Sequence, residues 1–292
     1  MNINQSESAN NFISRDTKKL SHNRLKLLIP SLSIAILAGY FGWRELQFNT
    51  IKKSVHNCIE SHKNCADNLS SLEKLVKAKK SLKLFNLENA HLEDAHLENA
   101  NLQSANLENA HLEHAHLENV RLKNANLSMA QMDGTHLENA HLENTNLSHA
   151  NLEHANLYRA NLQGAYISHN RLQGAHLDHA NLEGTRFYEA DFQDAYFHLA
   201  NLSHTYFYRA NFQGTNLYRA NLHNAHLIEA QNLTPSQIKS ACNWDTAIFR
   251  GVWSSEKSKW VVDKQANQQF IQQLKQDKDS DPKRDINCGE WE

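Results

Sequence analysis

From Leu87 to Leu227 an apolar residue stands at every fifth position for 29 consecutive steps. It is leucine in most, with Met132 and Ile167 once each and Phe187, Phe192, Phe197, Phe207 and Phe212 in a late cluster. Two residues before each of these sits a small one, mostly alanine as at Ala90, Ala95 and Ala100. Thr135, Thr145, Thr185, Thr205 and Thr215 take its place elsewhere, and past Phe85, before the first centre, only Val120 and Asn170 depart from the rule. A helix repeats every 3.6 residues and a strand every two, so neither keeps both positions on one face. The chain must turn a corner every five residues. Large and small inward groups then fill a narrow tube at the density of a protein interior, and a leucine at an alanine position would overpack it.

Units such as AHLEN, ANLQS, ANLYR and ADFQD resemble the A(D/N)LXX pattern of the pentapeptide-repeat family. The resemblance implies an all-β solenoid, a right-handed quadrilateral β-helix in which four pentapeptides make one coil. The centre and the small residue point inward and the other three positions point outward. Such a run makes roughly seven coils, and at about 4.8 Å between neighbouring strands the rod is about 35 Å long. Stability accumulates by stacking of neighbours, so the terminal coils need a cap or a second copy, and the solenoid ends are candidate homodimer surfaces.

The flanks divide the rest of the chain. Residues 27–43, LLIPSLSIAILAGYFGW, are uncharged and just long enough to cross a bilayer as one helix. Lys18, Lys19, Arg24 and Lys26 precede them, so residues 1–26 read as a cytoplasmic basic leader and the repeats are placed outside, in a periplasmic or other extracytoplasmic space. Residues 44–81 read as a helical stalk and N-terminal cap, with helices over Leu46 to Cys58 and Leu69 to Lys80; Leu69, Leu72, Leu75 and Val76 have helical spacing and would cover the first coil. Residues 82–232 form the repeat β-helix, and 233–254 the C-terminal cap, with Thr234 as N-cap and Pro235 as the first helical residue. In residues 255–292 a polar amphipathic helix from Ser255 to Lys275 is expected before a disordered charged tail.

Cys58 and Cys65 flank a short connection between the two stalk helices, and a disulfide pinning that hairpin is the favoured pairing in an oxidising compartment. A zinc site of Cys58, His62 and Cys65 lacks both the short cysteine spacing and a fourth ligand. For Cys242 and Cys288 nothing in the sequence fixes a distance, so a second bridge there is the lesser expectation.

Positions twenty apart stack in adjacent coils, which lets the outer surface be read as columns. His96, His116 and His136 share one column and are the candidate metal ligands; the competing reading is a solvated ladder in which histidine replaces asparagine. No dedicated carboxylate partner is apparent. Residues 86–230 carry 17 acidic and 7 basic side chains, and 16 of the 19 histidines, so acidification reverses the sign of the rod. In the late coils Arg186, Tyr188, Tyr206, Tyr208 and Arg209 form the candidate interaction surface, since aromatic and arginine side chains are those enriched at binding hot spots. Cross-strand stabilisation of the solenoid explains the same residues without a partner.

No nucleophile with a base and no glycine-rich phosphate loop is present, so neither an enzyme nor a cofactor is indicated. A net charge of −2 gives no pull toward nucleic acid. The expectation is a single-pass membrane scaffold that binds or spaces protein partners. Two alternatives follow from the resemblance: a DNA mimic protecting a DNA-binding enzyme such as gyrase, or a secreted effector targeted to host membranes.

Overall fold

The computed structural model describes residues 66–79, 81–257, 259–282 and 285–291. The basic leader, the apolar stretch 27–43, the proposed helix Leu46 to Cys58 and the Cys58–Cys65 pairing all lie outside the described residues. Among the described residues no helix is long and apolar enough to cross a membrane.

Each five-residue unit closes a tight turn. The amide of Ala90 donates to the Leu87 carbonyl at 3.1 Å, and the residue between Glu88 and Ala90, Asn89, has φ 55°. That left-handed step recurs every five residues through Asn, Asp, His, Ser, Arg and Gly among others. Side chains able to bond their own backbone, and glycine, tolerate it best, which explains why this outward position is so often asparagine.

The units stack in parallel with a register of twenty: Asn86 bridges Asn106, Asn106 bridges Asn126, and the pairing runs on to Asn211 with Gln231. Backbone hydrogen bonds knit the coils at every corner, as in Leu87 N to Asn106 O (2.7 Å), Asn89 N to Glu108 O (2.8 Å) and Asn106 N to Phe85 O (2.9 Å). Four pentapeptides therefore make one coil of a β-solenoid. The inward centres begin at Leu82 and are buried through Leu227, and the small residues are buried with them.

Polar inward residues find main-chain partners. Thr135, Thr185, Thr205 and Thr215 each donate Oγ1 to the carbonyl 23 residues earlier at 2.8 Å. Asn170 does the same with Nδ2 to Leu147 O at 2.7 Å, which is how a buried amide replaces alanine there. Outside, an asparagine ladder links Asn106 to Asn86 (3.1 Å), Asn126 to Asn106 (3.2 Å) and Asn146 to Asn126 (3.2 Å).

Helix α1 (Ala66–Lys77) covers the first coil. It ends before Lys79, which has φ 55°, rather than running to Lys80. Leu72 and Leu75 are buried, and Glu73 Oε1 accepts from the amide of His96 at 3.0 Å, a donor that in later coils meets the preceding coil's carbonyl.

At the other end, helix α2 (Pro235–Ser240) starts at the Thr234 N-cap. Thr234 Oγ1 accepts from Gln237 N while Gln237 Oε1 accepts from Thr234 N, a reciprocal capping box. The ladder then resumes with Asn221 bridging Cys242 and His226 bridging Ile248.

The polar helix expected over Ser255 to Lys275 is two elements instead. Strands β1 (Gly251–Ser254) and β2 (Lys259–Val262) pair antiparallel, with Trp253 opposite Trp260. Helix α3 (Lys264–Gln276) starts only after Asp263, whose carboxylate accepts from Ala266 N at 2.9 Å. The Trp-Val-Val run favours extended backbone, and the capping aspartate fixes where helix begins. Asn267 holds α3 to the last coil, accepting from Phe249 N (2.7 Å) and Arg250 N (3.1 Å) and donating to Ala247 O (3.1 Å).

The expected disordered tail is fastened. Cys288 is bonded to Cys242 (S–S 1.97 Å, Cα–Cα 5.7 Å), so the pairing given less weight from sequence is the one present among the described residues. Buried Lys239 pairs Nζ with Asp281 Oδ1 at 2.8 Å, and Trp291 Nε1 donates to Arg219 O at 3.0 Å. These partners lie 42 to 72 residues apart in sequence, which hides them from any compositional reading.

Candidate binding groove and histidine ladders

The column that holds asparagines in the early coils continues as Tyr166, Arg186, Tyr206 and His226, joined by parallel bridges. The Arg186 guanidinium lies 4.6 Å above the Tyr166 ring, and Tyr206 stacks on His226 at 4.5 Å. The next outward column is Tyr188, Tyr208 and Ile228.

The hairpin comes down on this face because Gly251 leaves room for it. A Cβ at Gly251 would meet Ile228 Cδ1 at 2.6 Å and the Val261 carbonyl at 2.9 Å, so any side chain would lift β1 away. Trp260 then reaches Tyr208 (5.0 Å between centroids) and Trp253 (5.9 Å, edge to face).

Between coil face and hairpin lies a groove of about 490 Å³, lined by Arg186, Tyr188, Tyr206 and Tyr208 on one side and Trp253, Lys259 and Trp260 on the other. Its floor includes His226, Ile228 and Val262. The charged groups lining it are both cations, Arg186 and Lys259. Burial pushes the Tyr188 hydroxyl pKa up, and burial followed by the neighbouring His204 holds His226 below the usual histidine range. Tyr208 is raised by burial and by its hydrogen bond to Glu229 Oε2 at 3.1 Å. Both shifts on the tyrosines favour the protonated hydroxyl, and that on His226 favours the neutral ring.

Arg209 stands beside the groove rather than in it. Its Nε donates to Glu229 Oε2 at 2.9 Å, and its Nη1 lies 3.7 Å from Glu189 Oε1. Its charge is spent within the solenoid.

The early coils carry a different chemistry. His96, His116 and His136 stack with centroids 4.7 and 4.8 Å apart and planes within 11° and 2°, and His91 stacks on His111 at 4.7 Å. Each faces a glutamate two residues ahead: His91 Nδ1 to Glu93 is 2.9 Å, His96 to Glu98 3.0 Å and His116 to Glu118 3.2 Å. The expectation that these histidines have no dedicated carboxylate partner is therefore corrected: the glutamate of the same pentapeptide supplies it. Burial raises the carboxyl pKa of Glu93 and Glu98, but the hydrogen bonds from His91 and His96, with main-chain bonds, outweigh it and leave both below the usual carboxylate range.

A family model described as a pentapeptide repeat region matches residues 90–167, and one described as pentapeptide repeats in eight copies matches residues 171–203 and 205–233. The coils are pentapeptide repeats. Solved pentapeptide-repeat structures similar to this chain include HetL, involved in heterocyst differentiation regulation in the cyanobacterium Nostoc sp. (27% identity, 58% of this chain and 81% of that one, TM-score 0.32). QnrB1, a plasmid-mediated fluoroquinolone resistance protein, is 17% identical over 50% of this chain and 76% of its own, with TM-score 0.32. A pentapeptide-repeat protein of the Arabidopsis thaliana thylakoid lumen is 17% identical over 50% of this chain and 65% of its own, with TM-score 0.21. No curated protein matches the chain.

On the pentapeptide-repeat coils the structure brings together four of the five surface residues expected from sequence, Arg186, Tyr188, Tyr206 and Tyr208, and leaves Arg209 at the edge. It adds Trp253, which the sequence reading left in the C-terminal cap, and Lys259 and Trp260, which the helical reading of Ser255 to Lys275 concealed. The β-branched and aromatic clusters Val252-Trp253 and Trp260-Val261-Val262 were the available signal.

Proposed function

We propose that the protein is a non-catalytic, membrane-anchored binding scaffold whose pentapeptide-repeat rod offers the aromatic groove to an extended acidic segment of a protein partner. The groove itself carries this reading. Tyr188, Tyr206, Tyr208, Trp253 and Trp260 supply broad, rigid contact area, and Arg186 with Lys259 make it cationic on a rod that is otherwise acidic. The interior is packed with leucine, alanine and phenylalanine, so the outer surface is what the rod presents. A duplex-mimicking inhibitor calls for continuous acid along its faces, and this face ends in arginine, lysine and aromatic rings.

Trp253 and Trp260 line the groove and report on its occupancy. Titration with a random copolymer of glutamate and tyrosine is expected to change tryptophan emission, and polylysine is expected to leave it unchanged. The double variant Tyr188→Ala, Tyr208→Ala is expected to weaken copolymer binding by about tenfold or more, given the cost of losing two central aromatic anchors. Equal affinity in wild type and variant, both folded by circular dichroism, contradicts the groove as the site.

The anchor rests on residues 27–43 and the basic residues before them. If they span the bilayer, the chain stays in the membrane pellet after alkaline carbonate extraction. Release into the supernatant rejects the anchor and leaves the groove reading untouched.

A further inference from the structure

The early coils hold three groups in which a ring nitrogen from histidine and carboxylate oxygens lie within 4.8 Å of one another: His91, Glu93 and His111; His96, Glu98 and His116; Glu118, His136 and Glu138. No residue belongs to two groups, so all three can be occupied at once. We propose that this face captures divalent transition-metal cations of the zinc, nickel and copper(II) class, one at each group.

Donor chemistry selects the class. Imidazole combined with carboxylate suits these ions, whereas magnesium and calcium take oxygen donors. The stacking that lines up the rings comes from the coil repeat and not from the side chains. Successive rings are therefore presented in the same orientation, with Nδ1 toward the glutamate of their own pentapeptide at 2.9, 3.0 and 3.2 Å for His91, His96 and His116. Where the ring keeps its proton on Nδ1 and donates it in a hydrogen bond to the carboxylate, the Nε2 lone pair is left to bind a metal, the arrangement in which a carboxylate orients a histidine ligand. Two ligands of one zinc ion stand about 3.3 Å apart for bonds near 2.0 Å. Closing to that separation from within 4.8 Å takes side-chain rotation alone, since all six side chains of the first two groups project from the outer face.

A second observation points to a cation. Glu118 and Glu138, both in the third group, each keep Oε2 withdrawn from solvent with no hydrogen-bond partner among the described residues, as do Glu113 and Glu143 on the same coils outside the groups. A solvated ladder of the asparagine kind leaves no such orphan: in it each amide donates to the one in the preceding coil. An ion shared by the two carboxylates and His136 would satisfy both oxygens. The pairing of histidine with a glutamate two residues ahead stays within residues 91–143; in later coils the same outward steps carry mostly asparagine, arginine and tyrosine, and the one comparable pair, His176 with Asp178, is looser at 3.9 Å. Metal capture and the aromatic groove therefore occupy different stretches of one rod.

The test uses the full chain, stripped with chelator and dialysed to equilibrium against zinc, with bound metal counted by elemental mass spectrometry. The triple variant His96→Asn, His116→Asn, His136→Asn keeps the fold, because asparagine already stands at these ladder steps at Asn101 and Asn156. It is expected to lose two of the zinc ions held by wild type and to retain the one at His91 and His111. Replacing His149 and His169, stacked at 5.0 Å but outside the three groups, by asparagine is expected to change nothing and serves as the control for adventitious imidazole binding. Equal zinc content in wild type and triple variant overturns the proposal, as does equal loss in the control. Magnesium displacing zinc at equal concentration would also overturn it, since that marks a diffuse acidic surface.

Discussion

Phe192→Ala is expected to destabilise the late coils by about 3–5 kcal/mol, the cost of emptying a phenylalanine site in a core that cannot collapse around it. The Phe192 ring sits edge to face with Phe187 (4.9 Å), Phe197 (5.2 Å) and Phe207 (5.7 Å), and tilted on Phe212 at 5.5 Å. Two successive coils therefore meet at this one side chain. Backbone hydrogen bonds fix the spacing of those coils, so the walls cannot move in to fill the void. Phe192→Leu places at this corner the residue most other corners already hold, and is expected to cost about 1–1.5 kcal/mol. Denaturant titration followed by circular dichroism separates the two. Because a solenoid's stability is a sum of local terms, the alanine variant should show an added early transition rather than a uniform shift. A loss no larger than that of Phe192→Leu would mean that the coils do relax, against the rigid-tube account of the core.

The core was legible because its contacts recur at a fixed offset. Leu87, Leu107 and Leu127 are twenty residues apart and occupy the same corner of successive coils, so the period in the sequence is the geometry in space. The same arithmetic placed His96, His116 and His136 in one stack and Tyr188 next to Tyr208. It failed where contacts run across a coil instead of along the rod. Glu98 meets His96 from two residues away, an offset that a search of twenty-residue columns passes over. It failed again beyond Gln231, where the register slips from twenty to twenty-one at Asn221 with Cys242 and to twenty-two at His226 with Ile248. Once helix α2 is inserted, nothing periodic ties Trp260 to Tyr208 or Asp281 to Lys239. Four-residue strands in a polar stretch also give too short a pattern to compete with a helical reading.

The groove inherits this division. One wall is set by the repeat, with Arg186, Tyr188, Tyr206 and Tyr208 spaced by the coil rise, and it is as rigid as the solenoid. The other wall is a two-stranded hairpin, an element too small to be stable in isolation. It is held by what surrounds it: Ile228 beneath Gly251, Asp263 and Asn267 behind it, and the tail that crosses back to the last coils. Affinity at such a site depends on how firmly the second wall is fixed in advance.

The variant Cys242→Ala, Cys288→Ser tests that dependence. The bridge closes a loop of 46 residues containing both strands and α3, and removing it is expected to cost about 4 kcal/mol of chain-entropy stabilisation. The loss falls on the cap. Without the bridge the tail is held by Trp291 Nε1 on the Arg219 carbonyl, by Arg219 on the Asn287 carbonyl and Glu290, and by the Lys239–Asp281 pair; when the tail leaves, Lys239 loses the partners that satisfy its charge, which loosens α2 on the coil in turn. Hydrogen exchange should therefore speed up across 235–276 while the amides of the early coils, such as those of Leu97 to Leu137, keep wild-type protection. Copolymer affinity is expected to fall along with the cap, as Trp260 loses its seat on Tyr208, although every coil-side groove residue is intact. Uniformly faster exchange along the whole rod would show instead that the C-terminal cap and the coils unfold as one unit, and that the nearest-neighbour picture of this solenoid is wrong.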